Sequence, residues 1–370
     1  MKRPFFSKEN YMLHCAESQS APTLSQDSLF KGRRQYRNRR HFFEWWYIDV
    51  TLKNGYQIVV VFYMPLYTFR SQKPLTIVEV YGPRGEKIEH GMCMEKRSKG
   101  LKNSGGVAIG TNYFKGQYPE YKLFWKNDKI ELDLVFKNQM KSWKLGTGLL
   151  FRDEKTERYF NWVVPVPRAT VSGSLKIKDR FIEVDGVGYH DHNWGNFVLK
   201  DVFSWWYWGR IFTDEYTIIY AKIEENKSGH ITPFMMARKG EVVISTNKVE
   251  ILQDYWTCKN TDTIFPQQCK MKVANGKEQI ELTTKVRKII ENTEFFFNPF
   301  QSPFPRKLLN NILDGSNFIS HIPVLTAMTK YFLGKSVYLR LLVDYDLRLN
   351  SRERFTGSSI QEIMLLRLSF

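Results

Sequence analysis

Cysteine is scarce in this chain of 370 residues: Cys15, Cys93, Cys258 and Cys269, with no CxxC pair and no metal-ligand spacing. A chain this long buries enough surface to fold without disulfides, so nothing calls for an oxidising compartment. Long apolar runs are also missing; no stretch of 18 uncharged apolar residues reads as a membrane-spanning helix. The opening MKRPFFSKENYMLH lacks the apolar centre of a signal peptide, which makes a cytoplasmic setting the expectation. There is no P-loop and no GxSxG, and Gly186-Val187-Gly188 is too short for a dinucleotide fingerprint. No nucleotide, covalent serine or cofactor of any kind is expected. Acidic residues are under-represented, 38 against 55 Lys and Arg, for a net charge of +17.

That surplus raises association rates toward polyanions. Its one cluster, Lys31–Arg40 (KGRRQYRNRR), reads as a solvated linker, a patch drawn to an anionic membrane surface, or a nucleic-acid contact. No zinc spacing or aromatic ribonucleoprotein motif accompanies it, so no nucleic-acid partner is expected. Aromatic residues are plentiful, with 27 Phe, 19 Tyr and 10 Trp. Rings in such numbers suit strands, apolar pockets and interfaces.

Residues 1–40 form a polar, basic arm without clear period. From His41 the chain turns to short β-branched and aromatic segments, such as 45–52, 56–63, 75–80, 121–125, 129–136 and 145–151. Lys53-Asn54-Gly55, Gly82-Pro83-Arg84-Gly85 and Lys126-Asn127-Asp128 punctuate them as turns. The spacing predicts an all-β antiparallel meander, with a sandwich as the other solution. A repeat favours two barrels. EWWYIDVTLKNGYQIVVV from Glu44 and SWWYWGRIFTDEYTIIYA from Ser204 align without a gap, placing Trp45, Trp46, Tyr47, Tyr56 and Ile58 on Trp205, Trp206, Tyr207, Tyr216 and Ile218. The offset is 160, from Trp45 to Trp205. A looser match joins GVGYHD (Gly186–Asp191) to GSSIQE (Gly357–Glu362). The expected domains are therefore 41–198 and 199–370. The prolines and helical spacing of residues 294–333 make that stretch a helical insertion in the second domain, packed on the barrel or serving as a lid or membrane-touching flap.

Chemistry concentrates in GVGYHDHNWG, Gly186–Gly195. On a strand, His190, His192 and Trp194 share one face while Tyr189, Asp191 and Asn193 share the other. Three readings are open: a His-x-His metal site lacking an evident third ligand, a hydrogen-bonded structural corner between the barrels, or a general acid with a polar anchor at a pocket wall. In the first triplet Trp46, Ile48, Val50 and Leu52 take the core face, and Trp45, Tyr47 and Asp49 the other.

EWWYIDV, then Trp162–Pro167 (WVVPVP) with Val171-Ser172-Gly173, then GVGYHDHNWG and SWWYWGR resemble, in order, the carotenoid 1,2-hydratase and AttH-like family. The resemblance covers residues 41 to 222. It implies tandem lipocalin-like (calycin) barrels, and its branches include meroterpenoid cyclases and fungal Diels–Alderases. It therefore implies a hydrophobic isoprenoid or polyene ligand; the net charge of +17 fits a cytoplasmic protein that collects such a ligand at the inner membrane surface, and oligomeric state is left open. The hydratase and cyclase branches imply acid-initiated chemistry: a protonated carboxyl kept neutral by an apolar wall, and ring faces that stabilise a cation. Asp191, Glu44 and Asp49 are the acids available, with Asp191, His192 and Glu44 the expected catalytic set. His192 and Trp194, backed by Tyr220, are the pair the resemblance points to. His190, Trp45, Tyr47, Trp205 and Tyr207 complete the expected substrate wall, or else belong to core. After Tyr220 this chain carries Ala221 and Lys222 where the hydratases carry an acid, a departure from simple carotenoid hydration. A pericyclase-like template and a non-catalytic carrier are the alternatives.

Overall fold

The alternating patterns fold into strands wherever turn residues bracket them. The computed structural model describes residues 22–28, 42–64, 74–95, 98–101, 104–226, 229–258, 263–275, 278–296, 335–350 and 352–366. The first sheet contains β1 (Phe43–Leu52), β2 (Gln57–Met64), β3 (Leu75–Tyr81), β4 (Lys87–Met94), β5 (Ser98–Gly100), β6 (Gly105–Ile109), β7 (Asn112–Gln117), β8 (Glu120–Lys126), β9 (Ile130–Asn138), β10 (Leu149–Asp153), β11 (Arg158–Ile177) and β12 (Arg180–Gly195). The second contains β13 (Phe203–Phe212), β14 (Tyr216–Glu225), β15 (His230–Ile231), β16 (Phe234–Arg238), β17 (Glu241–Thr246), β18 (Glu250–Cys258), β19 (Thr263–Asn275), β20 (Glu278–Phe296), β21 (Lys335–Leu349) and β22 (Glu353–Leu365). Their orders are β4-β3-β2-β1-β12-β11-β9-β8-β7-β6-β5 and β17-β16-β14-β13-β22-β21-β20-β19-β18. In both, the last strand returns to pair with the first. One sheet curls into a nearly closed barrel and the other into a half-barrel, so the expected pair of lipocalin-like barrels is present with one of them only half wrapped.

Each sheet has its own interior. Trp46, Ile48, Val50 and Leu52 point into the first, with Phe114, Trp125 and Phe136. Tyr207, Tyr220, Phe265 and Leu341 fill the second. A third core, drawn from both halves, lies where their outer faces meet: Tyr47, Tyr189 and Trp162 from one side, Trp208, Ile219 and Leu342 from the other. A short helix, α2 (Leu199–Val202), links the halves, following the smaller helix α1 (Leu24–Asp27) in chain order.

The repeat holds, but not at one offset. The first hairpin closes through Lys53-Asn54-Gly55, with Gly55 at φ +86°, and pairs Thr51 with Gln57. The second closes through Asp214-Glu215 alone and pairs Phe212 with Thr217. The first turn is one residue longer, so β2 matches β14 at an offset of 160 (Ile58 to Ile218) but β1 matches β13 at 161 (Val50 to Ile211). The ungapped alignment thus misassigns the triplet. Trp46 corresponds to Tyr207, both inward; Trp45 and Tyr47 correspond to Trp206 and Trp208, all on the shared face. A one-residue slip in a strand turns every side chain over, so the shift decides which ring faces the seam.

The segment expected as a free arm is partly built in. α1 lies against the first barrel, and Ser28 bridges Gly106 in parallel. Lys31–Arg40 and most of the expected insertion (297–334) lie outside the described residues. Among the described residues, no helix is long and apolar enough to cross a membrane.

Candidate active site

Strand alternation sorts the expected site residues into three places. His190, His192 and Glu44 face the interior of the first barrel, where Asp27 and Gln26 of α1 meet them. His190 Nε2 lies 3.0 Å from Asp27 Oδ1 and its Nδ1 2.9 Å from the Tyr47 carbonyl. His192 Nε2 lies 3.0 Å from Glu44 Oε1 and its Nδ1 2.6 Å from the Gln26 carbonyl. A backbone carbonyl only accepts, so Nδ1 carries a proton in both rings, and each His–carboxyl pair shares one more. Trp46 stacks on His192 at 4.2 Å and donates Nε1–H to the Asp27 carbonyl; Tyr121 donates to Asp27 Oδ2 at 2.8 Å. Trp194 packs with Phe42 and Val163. Tyr207 and Tyr220 lie inside the second sheet, hydrogen-bonded to Gln361, while Trp205 is half-buried under Lys222.

Asp191, Tyr47 and Trp45 come together at the seam between the halves. Tyr47 pairs with Asp191 across β1 and β12; at the equivalent position of the second half, Trp208 pairs with Glu362 across β13 and β22. Equivalent residues also touch each other. Tyr47 and Trp208 meet edge-on at 5.3 Å, Trp45 stacks on Trp206 at 6.3 Å, and Asp49 forms a two-pronged ion pair with Arg210. Contacts between equivalent positions are the mark of a two-fold axis, here a pseudo-dyad through the seam.

The two carboxyls on this axis have different surroundings. Asp191 is 5% exposed and has only neutral donors: Tyr189 OH at 2.8 Å, Trp162 Nε1 at 3.0 Å and Asn193 Nδ2 at 2.7 Å. Burial outweighs those donors and raises its pKa to about 7. Glu362 instead accepts from Arg340 Nε at 3.0 Å and from Tyr47 OH at 2.8 Å. Arg340, itself 2% exposed, also donates to Glu79, Tyr81 and Tyr338, and Lys87 bridges Glu79 to Glu291. Burial thus favours the protonated form of one carboxyl, while its counterpart is ion-paired. Paired acids with such divergent environments are a means of assigning acid and base work.

Trp208, Trp162, Tyr189, Glu362 and Arg340 are seam residues for which the sequence suggested no site role. Glu362 was within reach: the loose match of GVGYHD to GSSIQE places it on Asp191, and the strand registers confirm that correspondence. Trp208 was hidden by the ungapped repeat. Arg340 has no signal beyond an arginine within the apolar run Val337–Val343 (VYLRLLV). Among the described residues, no three His, Cys, Asp or Glu gather as a metal site.

The fold defines a class, the tandem lipocalin-like barrel proteins; in this chain the two halves share an aromatic face. The resemblance to the AttH-like group is found in the comparisons. The Diels-Alderase-like family profile matches residues 128–274. An AttH-like protein from Nitrosomonas europaea superposes with a TM-score of 0.58 at 13% identity, covering 93% of this chain and 99% of that one. CghA gives 0.62 at 10% identity over 89% and 90%, and kievitone hydratase from Nectria haematococca 0.55 at 14% over 95% and 97%. Hydroxyneurosporene dehydrogenase from Chlorobaculum tepidum is 40% identical over 82 residues, a fifth of that protein's length.

Proposed function

We propose that the protein is an acid-initiated hydratase or cyclase for an apolar isoprenoid-type substrate, with Asp191 in the seam as proton donor. The observation that carries this reading is a carboxyl buried among Trp162, Tyr189 and Tyr47, with no cation on it, whose pKa is raised to about 7. Catalytic acids work best near the ambient pH. The proton would pass from Asp191 to one alkene carbon, the π pair forming the new C–H bond and leaving a tertiary cation. Water then adds and returns a proton to the carboxylate, or a second alkene closes a ring and the adjacent C–H proton returns. Aromatic faces around the site stabilise the passing charge. On this reading His190, His192 and Glu44 hold α1 in place and do not touch substrate.

A second reading, a template that only folds its substrate for a pericyclic step, draws support from the Diels-Alderase-like profile match. The two separate cleanly. Asp191→Asn should reduce turnover of prenylated and polyene substrates by roughly 10²–10⁴-fold, read by mass spectrometry as loss of the hydrated or cyclised product. Full turnover by the variant would leave only the template; an unchanged ligand copurifying in stoichiometric amount would point to a carrier.

A further inference from the structure

Among the described residues, four buried indoles donate to identified acceptors. Trp46 donates to the Asp27 carbonyl, Trp125 to Thr76, Trp143 to Ser245 and Trp162 to Asp191. Trp208 does not: its side chain is 7% exposed and its Nε1 meets no acceptor in hydrogen-bonding geometry. An unsatisfied buried donor costs about 1–3 kcal/mol. The indole lies against Tyr47 at 5.3 Å and Tyr189 at 5.2 Å. The Tyr189 oxygen is near enough to feel the indole N–H but does not lie in hydrogen-bonding geometry with it, and the phenol donates its own hydrogen to Asp191. The idle donor and the proton-holding carboxyl therefore flank one phenol. The seam around them is not sealed, since Trp45, Tyr63, Trp206, Tyr338 and Met364 line it half-buried.

We infer that Trp208 is a specificity-determining residue whose N–H binds an oxygen of the substrate, which makes the substrate an oxygenated isoprenoid, carrying a carbonyl or hydroxyl group, and not a plain hydrocarbon. This rests on the seam being the binding site. An apolar pocket recognises chain length weakly, whereas a buried donor left unpaired by a ligand without oxygen discriminates strongly. The position next to Asp191 fixes where the oxygen sits relative to the alkene that is protonated.

The test uses farnesylacetone and its analogue with the carbonyl oxygen replaced by CH₂, bound to the full chain. The ketone-over-hydrocarbon preference of the wild type should exceed that of Trp208→Phe by about tenfold, the factor one ordinary hydrogen bond supplies. If both proteins show the same preference, the inference is overturned while the seam reading stands. If neither probe binds the wild type, the seam reading fails and this inference falls with it. Should Trp208→Phe not fold, wild-type protein labelled with ¹⁵N at the indole answers the question. The ketone should move one indole N–H resonance downfield that the methylene analogue leaves in place; identical shifts from both probes would overturn the inference.

Discussion

Asp191 keeps its proton because three neutral donors are weaker compensation than water for a buried charge. Its raised pKa has a consequence for stability as well as for chemistry. A carboxyl at 3.8 when unfolded and about 7 when folded binds its proton more tightly in the folded state. The stability this gives is complete below the unfolded value and is lost as pH rises through about 7. At 1.36 kcal/mol per unit, the loss is on the order of 4 kcal/mol. The unfolding free energy of the wild type minus that of Asp191→Asn should therefore fall between about pH 4 and pH 7 and level off above it, by urea titration at several pH values. A difference that does not change with pH would show that Asp191 titrates normally. Turnover should decline through the same region if the protonated form is the working one. At this scale the sequence was informative: alternation alone put Asp191 on the face opposite His190 and His192, and Tyr47 on the face opposite Trp46. It could not show that the indole donating to Asp191 comes from β11, or that Trp208 of the other half closes on Tyr47 and Tyr189 beside it.

Elements explain why the repeat was legible and its register was not. Two Trp-Trp-Tyr triplets leading through hairpins identify β1–β2 and β13–β14, but turn length is set by local backbone geometry, and one extra residue before Gly55 shifts a strand against its copy. The helix α1 is a different case. Four residues carry no usable period, and their anchoring is entirely tertiary: Gln26 and Asp27 satisfy two buried histidines, Tyr121 and Trp46. Asp27→Ala should leave His190 Nε2 and the Tyr121 hydroxyl without their acceptors and destabilise the first barrel by about 2–4 kcal/mol. Asp27→Asn should cost much less, because the amide oxygen still accepts from Tyr121 and the amide nitrogen donates to a neutral His190. Denaturant unfolding of the two variants decides the point; equal losses would mean that the carboxylate charge, and not the hydrogen bonding, secures α1.

At the scale of the molecule the seam is what makes one protein of two similar sheets, and its pseudo-dyad carries a specific energetic signature. Asp49 and Arg210 occupy equivalent positions, both almost fully buried, and Arg210 also donates to Thr51 and lies over Phe212 at 4.5 Å. Had the halves been identical, this contact would set like against like; one acidic and one basic residue turn the axis into an attraction between different halves. Removing either partner strands a buried charge, so Asp49→Leu or Arg210→Met alone should cost about 3–5 kcal/mol, whereas the two together should be nearly neutral. Because the positions are related by the dyad, exchanging them (Asp49→Arg with Arg210→Asp) should recover a large part of what either charge reversal loses, even though every other neighbour of the two side chains has changed. A pair that merely happened to be adjacent has no reason to tolerate exchange. Unfolding free energies for the two reversals and their combination measure this directly, and losses that simply add would show that the halves are not related by the axis inferred from Trp45 on Trp206 and Tyr47 on Trp208.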